Sequence, residues 1–143
     1  MPTVKDIMTK DVVTIDVSKT IFEAAQLMSE KNISCLVVTK NDAPAGIVTE
    51  RDFVKRIVAK RASFDVKVTE VMTKTLVTVE PDASIKEAAR LMSSHKIRRL
   101  PVLKQNKLVG ILVATDLVRN VGKKTTTEEI LDAIGRYPSG SGM

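Results

Sequence analysis

Apolar residues in this chain recur at two different spacings. Ile21, Ala24, Ala25 and Met28 follow the three-and-four spacing of one helical face, and so do Ile85, Ala88, Ala89 and Met92. A hydroxyl residue with glutamate three positions on precedes each set, in Thr20-Ile21-Phe22-Glu23 and Ser84-Ile85-Lys86-Glu87. In that capping-box spacing, side chain and backbone satisfy each other's orphan groups, so a helix is expected to begin at each. The alanines in mid-face let such a helix approach a flat surface closely, most simply a sheet. After each helix comes an apolar, β-branched run of strand length, Ile33 to Thr39 and Ile97 to Leu103. A polar turn, Asn41-Asp42 or Gln105-Asn106-Lys107, and a second short run, Ala45 to Val48 or Leu108 to Val113, complete a hairpin. Val12 to Ile15 and Leu76 to Val79 add a short strand ahead of each helix. From Asp52 the helical period returns, with Phe53, Val54, Ile57 and Val58 on one side. Lys55, Arg56, Lys60 and Arg61 are exposed or fall in its last turn, where cations suit the helix dipole. Asp116 to Val121 is a shorter counterpart that stops near Gly122.

These elements come in two copies. Val4 to about Ile57 aligns without a gap on Val68 to about Val121, at a constant offset of 64. Met8-Thr9-Lys10 matches Met72-Thr73-Lys74, Glu23-Ala24-Ala25 matches Glu87-Ala88-Ala89, and Leu27-Met28-Ser29 matches Leu91-Met92-Ser93. The repeating unit is strand, helix, strand, strand, helix, an α+β class built of α/β-type units. The expected organisation is a first repeat over 1–64 and a second over 65–122, together one pseudosymmetric module. A C-terminal helix over 123–135 follows, read from the cap, acidic first turn and terminating glycine of Thr125 to Gly135. Residues 136–143 have linker composition and are expected to fray.

A chain of 143 residues suits one compact domain or two small ones. The longest apolar runs are a few residues, against the ~20 needed to span a bilayer, and Met1 to Asp6 shows no basic stretch followed by an apolar one. Neither membrane anchor nor signal peptide is expected, and a cytoplasmic location fits. Cys35 is the single cysteine, so no intrachain disulfide can form, as in a reducing compartment. A net charge of +6 would attract polyanions, yet one tyrosine, three phenylalanines and no tryptophan are too few for a base-stacking platform. Nucleic acid is therefore a disfavoured partner. One histidine, His95, one cysteine, no cluster with metal-ligand spacing and no phosphate-cradling glycine loop argue against an enzyme, a metal site or an obligatory cofactor. Met8, Met28, Met72 and Met92 read as packing residues.

One stretch draws the chemistry together. Gly46-Ile47-Val48-Thr49-Glu50-Arg51-Asp52 closes a strand and opens a helix, and Gly110-Ile111-Leu112-Val113-Ala114-Thr115-Asp116 repeats it with valine in place of Thr49. Thr49 with Asp52 has a plain reading as a helix start, worth about 1 kcal/mol. Asp116 persists where Val113 cannot cap, which shifts the weight toward a ligand role for both aspartates.

In order and repetition, these motifs resemble a CBS-domain pair, also called a Bateman module. The resemblance is carried by Ile7-Met8-Thr9 and Val71-Met72-Thr73, the Glu-Ala-Ala helices, Arg98-Arg99-Leu100-Pro101-Val102 and the Gly-Ile-Val-Thr-x-x-Asp junction, over nearly the whole of Val4 to Val121. It implies a pseudosymmetric disc of two sheets packed face to face, with flanking helices and a cleft for adenine nucleotides or a related adenosyl compound. One site would use Ile47, Thr49 and Asp52 with Thr73 and Thr78; the other, Ile111 and Asp116 with Thr9, Thr14 and Ser34. Arg98 and Arg99 stand where the family places a basic residue against phosphate. A carboxylate suits two vicinal ribose hydroxyls, having two acceptor oxygens and no competing donor. With Val113 offering no hydroxyl, the Asp116 site is expected to be the weaker. The nucleotide would be a regulatory ligand, the listening protein unidentified, and a twofold dimer would form through helical faces around Phe53, Ile57 and Leu117. The alternative is a basic interaction module for nucleic acid or an acidic protein, with no small-molecule ligand.

Overall fold

The structure, a computed structural model, describes residues 2–74 and 76–119. The expected tail helix from Thr125, the linker at 136–143 and the last helix beyond Arg119 lie outside the described residues. The elements are α1 (Val4–Ile7), β1 (Thr14–Asp16), α2 (Ile21–Lys31), β2 (Cys35–Lys40), β3 (Ala43–Thr49), α3 (Glu50–Asp52) running on as a π-helical segment (Phe53–Val58), a 3₁₀ turn (Val68–Glu70), α4 (Ile85–His95), β4 (Arg99–Lys104), β5 (Lys107–Val113) and α5 (Ala114–Val118).

Two compact units form, and neither coincides with one stretch of the repeat. Val13–Leu76 make one; the described residues up to Val12 join those from Val77 onward to make the other. The leading segment of each repeat, with its Met-Thr pair, thus folds against the sheet of the other repeat. In the Val13–Leu76 unit the sheet order is β1-β2-β3, β1 parallel and β3 antiparallel to β2. Leu36, Val37 and Val38 of the central strand are wholly buried, as a strand covered on both faces requires. Beyond β3, Ile47 and Thr73 exchange both backbone hydrogen bonds, at 3.0 and 2.9 Å, so the second repeat's leading segment covers that edge. The other unit pairs β4 with β5, and Thr9 and Ile111 exchange the same two bonds, both at 2.9 Å. The strand expected over Leu76 to Val79 shrinks there to a parallel bridge between Val79 and Val102, the counterpart of Ile15 beside Val38.

Both hairpins close through two-residue turns with positive φ at both positions, Asn41 and Asp42 in one and Gln105 and Asn106 in the other. At α2 the full capping box forms: Thr20 N–H donates to Glu23 Oε1 at 3.1 Å, and Glu23 N–H donates to Thr20 Oγ1 at 3.2 Å. At α4 only half of it does. Glu87 N–H donates to Ser84 Oγ at 3.0 Å, but the Glu87 carboxylate turns to Arg90, 3.4 Å away, because an arginine three residues on competes for it.

The helix after β3 also differs from its expected face. Asp52 and Ile57, five residues apart, are both buried, while Val54 and Val58 are 61% and 66% exposed. The widened turns, with Ala59 N–H reaching the Val54 carbonyl, carry a longer period than the 3.6 of an α-helix and so move the apolar stripe. Ile57 and Leu117, expected on an association face, are 2% and 0% exposed and belong to the core. The apolar side chains these helices leave to solvent are Val54, Val58 and Val118.

Several exposed carboxylates are held by local bonds. Glu23 lies below its ordinary value chiefly through the Thr20 N–H, Asp6 through the Thr3 N–H, and Asp16 through the Ser18 hydroxyl. The Lys5–Asp82 contact at 2.9 Å lowers Asp82 and raises Lys5. A carboxylate lowered in the folded state contributes stability above its unfolded value and loses it as pH falls through the folded one. The melting temperature is therefore expected to stay level from pH 7 to 5 and to drop below about pH 4, as scanning calorimetry would read. A fall already complete at pH 5 would contradict this assignment.

Candidate ligand site at the strand-to-helix junction

In an antiparallel ladder, pairs that exchange hydrogen bonds recur every second residue on each strand. With Ile47 opposite Thr73, the next such pair would be Thr49 opposite Val71. It does not form. Thr49 N–H donates instead to Asp52 Oδ2 at 2.9 Å, and the Thr49 hydroxyl lies 3.3 Å from the same oxygen. The Val71 carbonyl accepts from Arg56 Nη1 at 2.6 Å, with the Met72 carbonyl 3.5 Å from that nitrogen. Asp52 Oδ1 is 3.7 Å from Arg56 Nε. An acid and a base one helical turn apart thus end the ladder, the carboxylate taking the strand's N–H and the guanidinium the opposing carbonyl. Thr49 is 5% and Asp52 9% exposed, so the carboxylate needs these partners. On the β2 side, Glu50 N–H donates to the Ser34 carbonyl at 3.1 Å, tying the helix start to the sheet.

The second junction repeats the carboxylate cap without the threonine hydroxyl. Val113 N–H donates to Asp116 Oδ2 at 3.0 Å, Asp116 Oδ1 lies 3.3 Å from Arg119 Nη1, and Asp116 is 4% exposed. Valine has no hydroxyl but it keeps its N–H. The aspartate therefore has a structural reason to persist beside Val113, and the inference that capping cannot explain Asp116 fails. Any ligand role must use what the cap leaves over. At Asp52 that is Oδ1, whose nearest cation stands beyond ordinary hydrogen-bond distance.

The structure brings Ile47, Thr49, Asp52 and Thr73 together in one unit, and Ile111, Asp116 and Thr9 in the other. Ile47 and Ile111 are buried, and the backbone groups that pair them with Thr73 and Thr9 are already used. Thr73 is half-buried and Thr9 exposed. Ser34, grouped with Asp116 by resemblance, lies in the unit of Asp52, bonded to Glu50. Thr14, grouped likewise, sits exposed on β1 of that unit, on a shallow groove of about 380 Å³ whose rim carries Asp16, Glu23 and Glu30 beside Lys19. Thr78, grouped with Asp52, is half-buried in the other unit. Arg98 and Arg99 belong to the unit of Asp116: the Arg98 carbonyl accepts from Ala114 N–H at 2.8 Å, and Arg99 stands opposite Val113 in register. Among the described residues no three His, Cys, Asp or Glu side chains cluster as metal ligands, and no helix is long and apolar enough to cross a membrane.

Three side chains that shape these junctions had no junction role in the sequence reading: Met8 and Met72, read there as packing residues, and Arg56, read as an exposed or last-turn cation. Met72 and Met8 lie against Gly46 and Gly110, and a side chain on either glycine would collide with them. The offset of 64 repeats both methionine and glycine, a signal that the two touch. Arg56 carried no such signal, since position 120 is asparagine.

Comparison with known proteins gives a consistent picture. The sequence profile described as "CBS domain" matches residues 4–59 and again 68–123. The chain is 41% identical over 120 residues to the CBS domain-containing protein YhcV of Bacillus subtilis, covering 84% of this chain and 86% of that protein. It resembles the crystal structure of the CBS domain pair of protein MJ0100 in complex with 5′-methylthioadenosine and S-adenosyl-L-methionine, at 28% identity and TM-score 0.77, over 85% of this chain and 97% of that one. A hexameric CBS-CP12 protein from bloom-forming cyanobacteria matches at 36% identity and TM-score 0.75, over 88% of this chain and 74% of the other.

Proposed function

This chain belongs to the CBS-domain family, with two copies of the domain, and from that premise we propose that it is a regulatory module, not a catalyst, that senses an adenine nucleotide or a related adenosyl compound. The observation that carries the reading is the division of labour at Asp52. One carboxylate oxygen caps Thr49, and the other stands 3.7 Å from the Arg56 Nε, with acceptor capacity for the vicinal hydroxyls of a ribose. The Thr49 hydroxyl lies 3.3 Å from the capping oxygen, and Thr73 is held beside the junction by its backbone pairing with Ile47. Asp116, with Thr9, Ile111, Arg98 and Arg99, is the counterpart that lacks a junction hydroxyl and gains two arginines, a combination suited to a more highly phosphorylated ligand. The adenosyl ligands in the MJ0100 pair support this ligand class. Association of two copies through the exposed Val54 and Val58 belongs to the same reading, as does a protein partner that responds to the bound state.

A ligand at a hundred times its Kd stabilises the fold by about 2.7 kcal/mol, which for a chain of this size raises the melting temperature by about 10 °C. Thermal-shift measurements with AMP, ADP, ATP, S-adenosylmethionine and NAD on ligand-free protein are expected to show such a rise with at least one of them. No rise with any of the five would remove the sensing reading.

A further inference from the structure

We propose that Arg56 is a positioning residue that couples the state of the Asp52 carboxylate to residues 71–73 of the second repeat's leading segment. The proposal rests on the ligand reading only in taking Asp52 as the group a ligand engages. Arg56 sits four residues after Asp52 on the widened turns, and its side chain is 50% exposed, so packing alone does not call for arginine there. Its guanidinium nevertheless reaches residues fifteen and sixteen positions away, placing Nη1 2.6 Å from the Val71 carbonyl and 3.5 Å from that of Met72. The Nε edge of the same rigid fork faces Asp52 Oδ1 at 3.7 Å.

The atom of Asp52 that faces arginine is thus the one left for ligand hydroxyls. When it turns to a ligand, or loses its charge, the guanidinium loses its anchor on the helix. Its hold on Val71 then loosens, two residues from Thr73, whose N–H donates to the Ile47 carbonyl at 2.9 Å. The second repeat lacks this arrangement in sequence: position 120 is Asn120, and Asp116 is met by Arg119, three residues on. Among the described residues the coupling is drawn at the first junction.

Hydrogen exchange of the Thr73 amide in full-length protein tests the proposal without any ligand. Arg56→Gln is expected to speed that exchange about tenfold, the effect of losing one charge-assisted bond, while the melting temperature falls by no more than about 3 °C. Asp52→Asn keeps an oxygen for Thr49 N–H but removes the charge facing Arg56. It should speed Thr73 exchange in the wild-type background and leave it unchanged in the Arg56→Gln background. Arg56→Lys keeps the charge but cannot span both partners, and its exchange rate should fall between the other two. Additive effects of Asp52→Asn and Arg56→Gln, or unaltered exchange in Arg56→Gln, would overturn the coupling. Thermal shift of wild-type protein with AMP, ADP, ATP, S-adenosylmethionine and NAD separates the two claims. No rise with any of them removes the ligand reading, whereas the double-mutant cycle alone decides the coupling.

Discussion

Gly46→Ala is expected to destabilise the protein by about 3 kcal/mol, seen as a drop in melting temperature of about 10 °C. A Cβ at position 46 would stand 2.5 Å from Met72 Sδ, 2.9 Å from Met72 Cγ and 2.8 Å from the Thr73 carbonyl oxygen. The methionine can swing away, for its three rotatable bonds make it an adaptable packing residue. The carbonyl cannot. It accepts Ile47 N–H at 3.0 Å, so moving it opens the bridge that seats the leading segment on β3. Met72→Ala introduced together with Gly46→Ala should therefore restore only part of the loss. At Gly110 the corresponding carbonyl, that of Thr9, is 3.0 Å from the added carbon, and the closest contact is with the flexible Met8 side chain. Gly110→Ala is accordingly expected to cost less, about 1–2 kcal/mol. Chemical denaturation of the three variants checks the order. A Gly46→Ala protein within 0.5 kcal/mol of wild type would show that the space behind this glycine is not the constraint argued here.

Asp52→Ala and Asp52→Asn are expected to separate the two tasks of this carboxylate. Alanine leaves the N–H of buried Thr49 without an acceptor, at a cost of about 1–3 kcal/mol. Asparagine keeps an oxygen in place and should retain most of the stability. For a ribose the outcome differs, because with the single asparagine oxygen held by Thr49 N–H the group left to face a ligand is an NH2 donor, where aspartate leaves Oδ1 as an acceptor. Both variants are expected to weaken nucleotide binding at this junction by about 10- to 100-fold, the value of one or two charge-assisted hydrogen bonds. Calorimetric titration beside thermal denaturation reads both quantities on one sample. An Asp52→Asn protein that binds as tightly as wild type would reduce this aspartate to a helix cap. Asp52→Ala therefore tests the fold as well as binding, since this side chain holds a strand end.

Much of the architecture was legible because it is local. The Thr20 to Glu23 box, the buried run Leu36 to Val38 and the polar two-residue turns each declare themselves within a few positions, and the offset of 64 doubles every such signal. What stayed hidden depends on long-range pairing. Nothing near Met8 or Met72 says that its segment lies along the sheet of the other repeat. The burial of Ile57 beside exposed Val58 follows from a helix wider than the 3.6-residue period assumed in reading the pattern. At the candidate site, Asp52 and Thr49 were singled out from the repeated junction, but the cap that Asp116 makes was not foreseen, because its partner is a backbone N–H, which every residue but proline carries. Arg56 escaped for a related reason: its partners are carbonyls, which leave no trace in residue identity.

The exchange of leading segments has a consequence for how such a chain could have arisen. A lone first repeat, ending before residue 65, would present the outer edge of β3 without the strand that Thr73 supplies, while its own Met8-Thr9 segment would have no β5 on which to lie. Two separate copies would satisfy each other by reciprocal donation, as in a swapped dimer. Joining the copies head to tail places donor and acceptor on one polypeptide, and mutual completion no longer depends on concentration. Once linked, the halves are free to differ, as they do in carrying Val113 at one junction and Thr49 at the other.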